Sequence, residues 1–191
     1  NADRDAAFLA VIEGDATLVM EIYFKDVLLP EPQRGIRLLL EVLAELKLSV
    51  TQLQAMTDMP EALLREAMFS YEDGKTFVSS IHEQRGWKGV DALFEHPPES
   101  TEQVLHPARY REGDRPVGLA VPAGAAPIYD DGLGEFEIRV LLTELSGSES
   151  VGAAGALGWA GDRYGVFPAG ETNALVWWTV WDTEKAAPRF A

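Results

Sequence analysis

From Phe8 to Val27 the chain repeats apolar residues at helical spacing: Phe8, Leu9, Ile12, Ala16, Val19, Met20, Tyr23 and Val27 recur three and four positions apart. That period predicts one long amphipathic helix, from about Arg4 to Leu28, with this stripe as its buried face. Glu13-Gly14-Asp15-Ala16 lies inside the run, with Glu13 on one edge of the stripe and Asp15 on the other. A carboxylate held against a core needs a donor, a basic partner or a metal ion. A mid-helix glycine costs about 1 kcal/mol relative to alanine, so a close approach by another backbone or side chain is expected at Gly14.

The first half continues as helices. Pro30 and Pro32 end the opening one, and a second is expected over 33–46 with Ile36, Leu39, Leu40, Leu43 and Leu46 at helical spacing. Ser49 with Gln52 fits a capping box for a short third helix. Asp58 caps a helix that should stop near Gly74, another runs from Lys75 to Arg85 and closes at Gly86, and a short one covers Val90 to Phe94. Ser100 or Thr101 caps a brief helix through Leu105, which Pro107 terminates. Residues 107–131 read as a long loop with one strand at Val117–Val121. Leu133–Leu145 returns to helix on Phe136, Val140, Leu141 and Leu145. Arg163–Phe167 and Ala174–Trp181 are two strands joined around Gly170, and Asp182 or Thr183 caps a last helix. The expected fold class is α+β, with helices over the first two-thirds and a small antiparallel hairpin near the end.

Composition narrows the function. A chain of 191 residues with 47% hydrophobic content can bury one good core, so 1–191 reads as a single domain. A formal charge of −15 argues against nucleic acid as a partner, because phosphate backbones reward clustered Lys and Arg. Zero cysteines exclude disulfides, a thiol nucleophile and thiolate metal sites. No stretch is long and apolar enough for a transmembrane segment. There is no G-x-S-x-G elbow for a serine nucleophile. Gly152, Gly155, Gly158 and Gly161 recur every third residue, but they lack the preceding strand and the glycine pair of a phosphate-binding loop.

Five blocks carry a likeness: Glu13-Gly14-Asp15-Ala16, Pro97-Pro98-Glu99-Ser100-Thr101-Glu102-Gln103-Val104-Leu105-His106-Pro107, Leu133-Gly134-Glu135-Phe136, Gly158-Trp159-Ala160-Gly161-Asp162-Arg163-Tyr164 and Trp181-Asp182-Thr183-Glu184. Together they resemble a family of secreted or lipid-anchored bacterial and archaeal proteins with a gluzincin-like, zinc metallopeptidase core. The resemblance implies that Glu13 is a zinc ligand, that Asp15 supports a ligating histidine, and that the protein is extracellular or in the cell envelope. It implies a peptide or protein substrate. The other two ligands of that family lie on an H-E-x-x-H helix, because histidines one turn apart can share a metal ion. That motif is missing here: the histidines are His82, His96 and His106, and His82-Glu83-Gln84-Arg85-Gly86 has no second histidine. The chain therefore reads as a gluzincin-like domain that is either truncated at its N-terminus or metal-less. Zinc is implied for the intact protein, and none is expected to bind this chain alone.

Three further residues are catalytic candidates, each with a plainer alternative. His106, with Glu102 to orient it, would stabilise an oxyanion, or would simply satisfy a carbonyl at a corner. Arg163 would clamp a substrate carboxylate and Tyr164 would bond a tetrahedral oxygen, or the pair would be an internal Arg–Asp bridge beside a core tyrosine. Glu13 itself has the alternative of pairing with an arginine such as Arg163. Trp159, Trp177, Trp178 and Trp181 fit a carbohydrate platform or the packing of a hairpin. The whole-chain alternative is a non-catalytic binding or structural module of the cell envelope.

Overall fold

In the computed structural model, which describes residues 1–28, 59–122 and 126–190, two long helices cross at a pair of glycines. The first, α1, is Ala2–Tyr23, extended by a π-helical turn at Phe24–Leu28. Asn1 caps it by accepting from the Arg4 N–H at 3.1 Å. The second, α2, is Glu61–Glu95 and breaks at Gly86, whose φ of 62° takes it out of helical geometry. The expected helix over 33–46, the capping box at Ser49 and the Asp58 cap fall outside the described residues. Gly86 acts as the expected stop. Gly74 does not: the helix runs through it, and it is buried against Ala10 of α1.

The face of α1 that packs is not the bulky one. Its buried residues are Asp3, Ala7, Ala10, Val11, Gly14 and Leu18. The stripe expected to be buried points to solvent, with Leu9 and Val19 each 47% exposed and Met20 55% exposed. The physical reason is backbone proximity. A Cβ on Gly14 would collide with the Gly74 carbonyl, so α1 and α2 approach as closely as two helices can only through small residues. The close approach expected at Gly14 is therefore present.

After α2 come two short helices, α3 (Thr101–Leu105) and α4 (Pro107–Glu112). Ser100 caps α3, accepting from the Gln103 N–H at 3.4 Å. Pro107 ends α3 and also occupies the first turn of α4, where its fixed φ suits a new start. Residues 107–131 are thus less of a loop than expected. No strand forms at Val117–Val121, where the Val117 N–H alone reaches Ala160 O, at 2.7 Å. The strand of this region is instead β1, Tyr129–Asp131.

Helix α5, Gly134–Ser146, joins two cores. Phe136 and Val140 face the α1–α2 pair, and the Phe136 ring stacks on Phe69 with centroids 4.1 Å apart. Ile138 and Leu142 face the other way, toward Ala156 of α6 (Glu149–Ala156), Trp159, Trp177, Trp181 and Phe190. Leu141 and Leu145, expected on its buried stripe, are exposed. Three of the four glycines that recur every third residue are packing devices: Gly152 and Gly155 lie against Thr143 and Leu142 of α5, and Gly161 lies against Val117, whereas Gly158 takes a positive φ of 88° just before β2.

Strands β2 (Trp159–Ala169) and β3 (Thr172–Trp181) form the hairpin, and with β1 they make an antiparallel sheet in the order β1-β2-β3. Strand β2 starts at Trp159, four residues ahead of the expected Arg163. Gly170, with φ 66°, takes the first central position of the two-residue turn. A single turn of helix, α7 (Ala187–Phe190), follows. The α+β class and its helical majority are as expected. No helix of the described residues is long and apolar enough to cross a membrane.

Candidate functional site

A buried polar seam forms where α1, α3, α5 and β2 meet. Asp3, 5% exposed, accepts at Oδ1 from both the Thr101 N–H (2.9 Å) and the Thr101 hydroxyl (2.5 Å). The Thr101 oxygen in turn accepts from the Phe136 N–H at 3.2 Å. One hydroxyl thus ties the start of α1 to the start of α5. Beside it, the Asp162 carboxylate accepts four hydrogen bonds: from the Leu133 N–H and the Trp177 indole at 2.9 Å on Oδ2, and from the Gly134 N–H at 2.9 Å and the Trp159 indole at 3.0 Å on Oδ1. A carboxylate at the N-terminus of α5 also faces the favourable end of its dipole.

The seam continues through neighbouring acidic and basic side chains. Glu102 is 2% exposed, with its Oε1 3.2 Å from Arg109 Nη1. That approach lies off hydrogen-bond geometry, so among the described residues Glu102 has a neighbouring charge without a directed bond on this oxygen. Arg109 is also held by Asp114 at 2.6 Å and by Asp182. Burial pushes the Glu102 carboxyl up to about 8, with Arg109 pulling the other way. Burial likewise raises Asp3 to about 7 against the pull of its Thr101 bonds. Glu137, one turn into α5, is raised to about 7 by burial and by Glu66.

His106 sits at the α3–α4 corner, with Nε2 2.9 Å from Glu135 Oε1. The bond fixes the orientation of the imidazole ring. The residue that orients His106 is therefore Glu135 rather than the expected Glu102. Glu135 is 3% exposed, and its Oε2 is buried without a hydrogen-bond partner among the described residues. The pair borders a cavity of about 320 Å³ shared with Asp73 and Arg139. Burial raises the Asp73 carboxyl, an effect Arg139 opposes. A fixed imidazole backed by a buried carboxylate can donate or accept a proton at a defined atom, which is what general acid–base chemistry asks of a side chain.

Arg163 and Tyr164 lie elsewhere and, as strand neighbours, project to opposite faces of β2. Arg163 bonds Asp130 on β1 through Nε at 2.8 Å and through Nη2. It borders a different cavity, with Asn1, Asp3 and Asp162. Tyr164 stands 6.0 Å, ring to ring, from Tyr129, and burial pushes its phenol up to about 12. The three catalytic candidates are thus not brought together. Trp159, Trp177 and Trp181 belong to the smaller core, and Trp178 meets Phe167 edge to face.

Glu13 is half-buried on α1, at the edge of the solvent-facing apolar stripe. It forms no ion pair with Arg163, which is taken by Asp130. Asp15, on the opposite edge, has its carboxyl raised by burial and by Asp91 of α2. Whether these residues fit the zinc ion implied by the resemblance can be tested on the donor set. Zinc sites use three or four converging side chains. Among the described residues no three His, Asp or Glu side chains converge in that way, and His106 is committed to Glu135. The described residues thus offer at most one of the required ligands and do not fit zinc by themselves.

Sequence reasoning missed Glu135, Asp162 and Asp3 as members of one seam. The available signal was an acidic residue placed directly before an apolar one at a helix start, as in Glu135-Phe136. Comparison with known proteins gives one match. Residues 126–191 match a family model described as a domain of unknown function, DUF8575. No curated protein and no solved structure matches the chain. The matched stretch covers β1, α5, α6 and the hairpin, including Glu135 and Asp162.

Proposed function

We propose that this chain is the carboxylate-bearing part of a gluzincin-like hydrolase, with Glu13 as one metal ligand and the other ligands on a helix that covers the exposed stripe of α1. The observation that supports this reading is the stripe itself. Phe8, Leu9, Ile12, Val19, Met20 and Tyr23 form a continuous apolar row on solvent, bordered by Glu13. Such a row marks a surface meant to be covered, and a covering helix would bring its own side chains to the Glu13 edge. The scaffold beneath is suited to the task. Gly14 is packed against the Gly74 backbone within one residue of Glu13, so the carboxylate stands on a helix in close contact with its neighbour. The reaction class is hydrolysis of a peptide bond, outside the cytoplasm. No step of it is assigned to the residues described here.

The test uses the complete open reading frame from which this chain comes. Zinc is measured by elemental analysis in that protein and in Glu13→Gln, alongside hydrolysis of a protein substrate. Stoichiometric zinc that Glu13→Gln loses, together with activity, is the expected result. Equal zinc in both proteins, or an open reading frame without H-E-x-x-H, overturns the reading.

A second reading, a non-catalytic envelope module, is favoured by the bonds within the seam. Thr101, Asp162, Arg163 and His106 are all occupied by internal partners that stabilise the fold. It predicts full stability and no zinc in the same experiment.

A further inference from the structure

The sheet has one long edge and one short one, and they differ in chemistry. Strand β3 is outermost in the order β1-β2-β3, and among the described residues nothing pairs with its far side. The hairpin geometry settles which backbone groups that side presents. Ala169 and Thr172 close a two-residue turn and so form a hydrogen-bonded pair. The even-numbered residues from Thr172 to Val180 therefore bond to β2. The odd-numbered ones, from Asn173 to Trp181, turn their N–H and C=O groups outward. Ten residues long, β3 contains no Asp, Glu, Lys, Arg or Pro. Those are the residues by which exposed edges are normally blocked. Leu175 is 65% exposed and Val176 41%.

Strand β1 is the opposite case. It has three residues, two of them Asp130 and Asp131, and Asp131 lies against the Ala2 N–H at the start of α1. Its edge is short and charged, and the start of α1 lies against its Asp131 end.

We propose that β3 pairs antiparallel with β3 of a second copy, across a two-fold axis at Val176, to give a continuous six-stranded sheet and a closed dimer. A row of outward N–H and C=O groups asks for an extended strand as its occupant. In a protein of net charge −15, the stretch most suited to meet that row is the uncharged β3 of another copy. Antiparallel pairing of identical strands matches odd residues with odd ones. With the axis at Val176, Leu175 of one copy faces Trp177 of the other, and Ala174 faces Trp178. The exposed aliphatic half of each strand thus covers the tryptophan half of its mate, and symmetry repeats the match. Because the β1 edge is only three residues long and carries Asp130 and Asp131, assembly stops at two copies and does not run on into fibres.

The experiment is sedimentation and light scattering of the 191-residue chain from micromolar to submillimolar concentration, at low and high salt. The expected result is a concentration-dependent doubling of mass that is tighter at high salt, where the repulsion of two acidic copies is screened. Leu175→Pro removes an N–H that takes no part in the β2 ladder, so it is expected to stay folded by circular dichroism and to remain monomeric. Leu175→Lys, which puts a charge at the edge without altering the backbone, is expected to be monomeric as well and serves if the proline variant does not fold. Ile12→Lys, on the exposed face of α1, is expected to leave the dimer intact. The proposal is overturned by a monomer at the highest concentration and salt, by a dimer that survives the folded Leu175 variants, or by one that only Ile12→Lys dissolves.

Discussion

Gly14 and Gly74 meet backbone to backbone where α1 crosses α2, and neither has room for a side chain. A Cβ on Gly14 would run into the Gly74 carbonyl, and one on Gly74 would run into Ala10. Backbone atoms cannot swing aside as a flexible side chain can, so the helices would have to separate. Separation would loosen the Ala7, Ala10 and Val11 contacts that fill the core beside the crossing.

Gly14→Ala is expected to destabilise the chain by about 1–3 kcal/mol, the usual cost of over-packing, even though alanine is the better helix former by about 1 kcal/mol. Chemical denaturation reads the difference. Gly118→Ala is the control: its added methyl meets open space, and it should be close to neutral. A Gly14→Ala variant as stable as Gly118→Ala would mean that the crossing tolerates a wider gap.

The buried carboxylates make stability depend on pH, and the sign follows from proton binding. Asp3 is raised to about 7, Glu102 to about 8 and Glu137 to about 7, all above their ordinary values, with burial the leading cause. Between pH ~4 and ~8 the unfolded chain has released these protons while the folded chain still holds them, so the folded state binds more and stability falls as pH rises. Thermal midpoints should therefore decline from about pH 5 to about pH 8. Asp3→Asn keeps the oxygen that accepts from Thr101 and removes the charge. It is expected to match the parent near pH ~3, below the ordinary carboxyl value of the unfolded chain, and to exceed it near pH ~8. A midpoint that rises with pH would contradict the buried, protonated state of these groups.

What the sequence reveals and what it hides divide along physical lines. Helical period announces α1, but both of its faces carry apolar residues at that period. Counting hydrophobicity selects the bulky stripe through Leu9, Val19 and Met20, whereas contact selects the small one through Ala7, Ala10 and Gly14. Only knowing that Gly74 lies opposite resolves the choice, and that is a property of two distant segments. The hairpin is legible because its signal is local: a glycine turn between runs dense in Val and Trp. Strand β1 is not, since Tyr129, Asp130 and Asp131 acquire strand geometry from pairing with Tyr164, Gly165 and Val166 rather than from their own preference. The same holds for the seam. His106 and Glu135 are 29 positions apart, and Asp3 and Thr101 are 98 apart. No spacing rule links them.

Asp162 is expected to be the most sensitive single polar position of the seam. Its two oxygens serve four N–H donors, two from the start of α5 and two from indoles. In Asp162→Asn one oxygen becomes an NH2 group that faces two donors and can bond neither. Stability should fall by about 3 kcal/mol, the scale of losing hydrogen bonds to a buried charged group. Near-ultraviolet circular dichroism should weaken together with it, because Trp159 and Trp177 lose their anchor. A variant with parent-like stability would show that the indoles and α5 are held by packing alone.

The exposed stripe of α1 gives a prediction that separates this chain from a larger assembly. Ile12 and Val19 are 42% and 47% exposed, so replacing them with polar residues removes little buried surface here. The double variant Ile12→Gln, Val19→Gln should change the stability of the 191-residue chain by no more than about 0.5 kcal/mol, as surface substitutions away from special features do. Glutamine is also a slightly better helix former than either β-branched residue. In a protein whose further helix covers the stripe, the same two changes would each bury an amide without a partner, at about 1–3 kcal/mol apiece. Denaturation of both proteins therefore measures whether the stripe is covered. A large loss in the shorter chain would show that these side chains are already packed, and would remove the support for a docking helix beside Glu13.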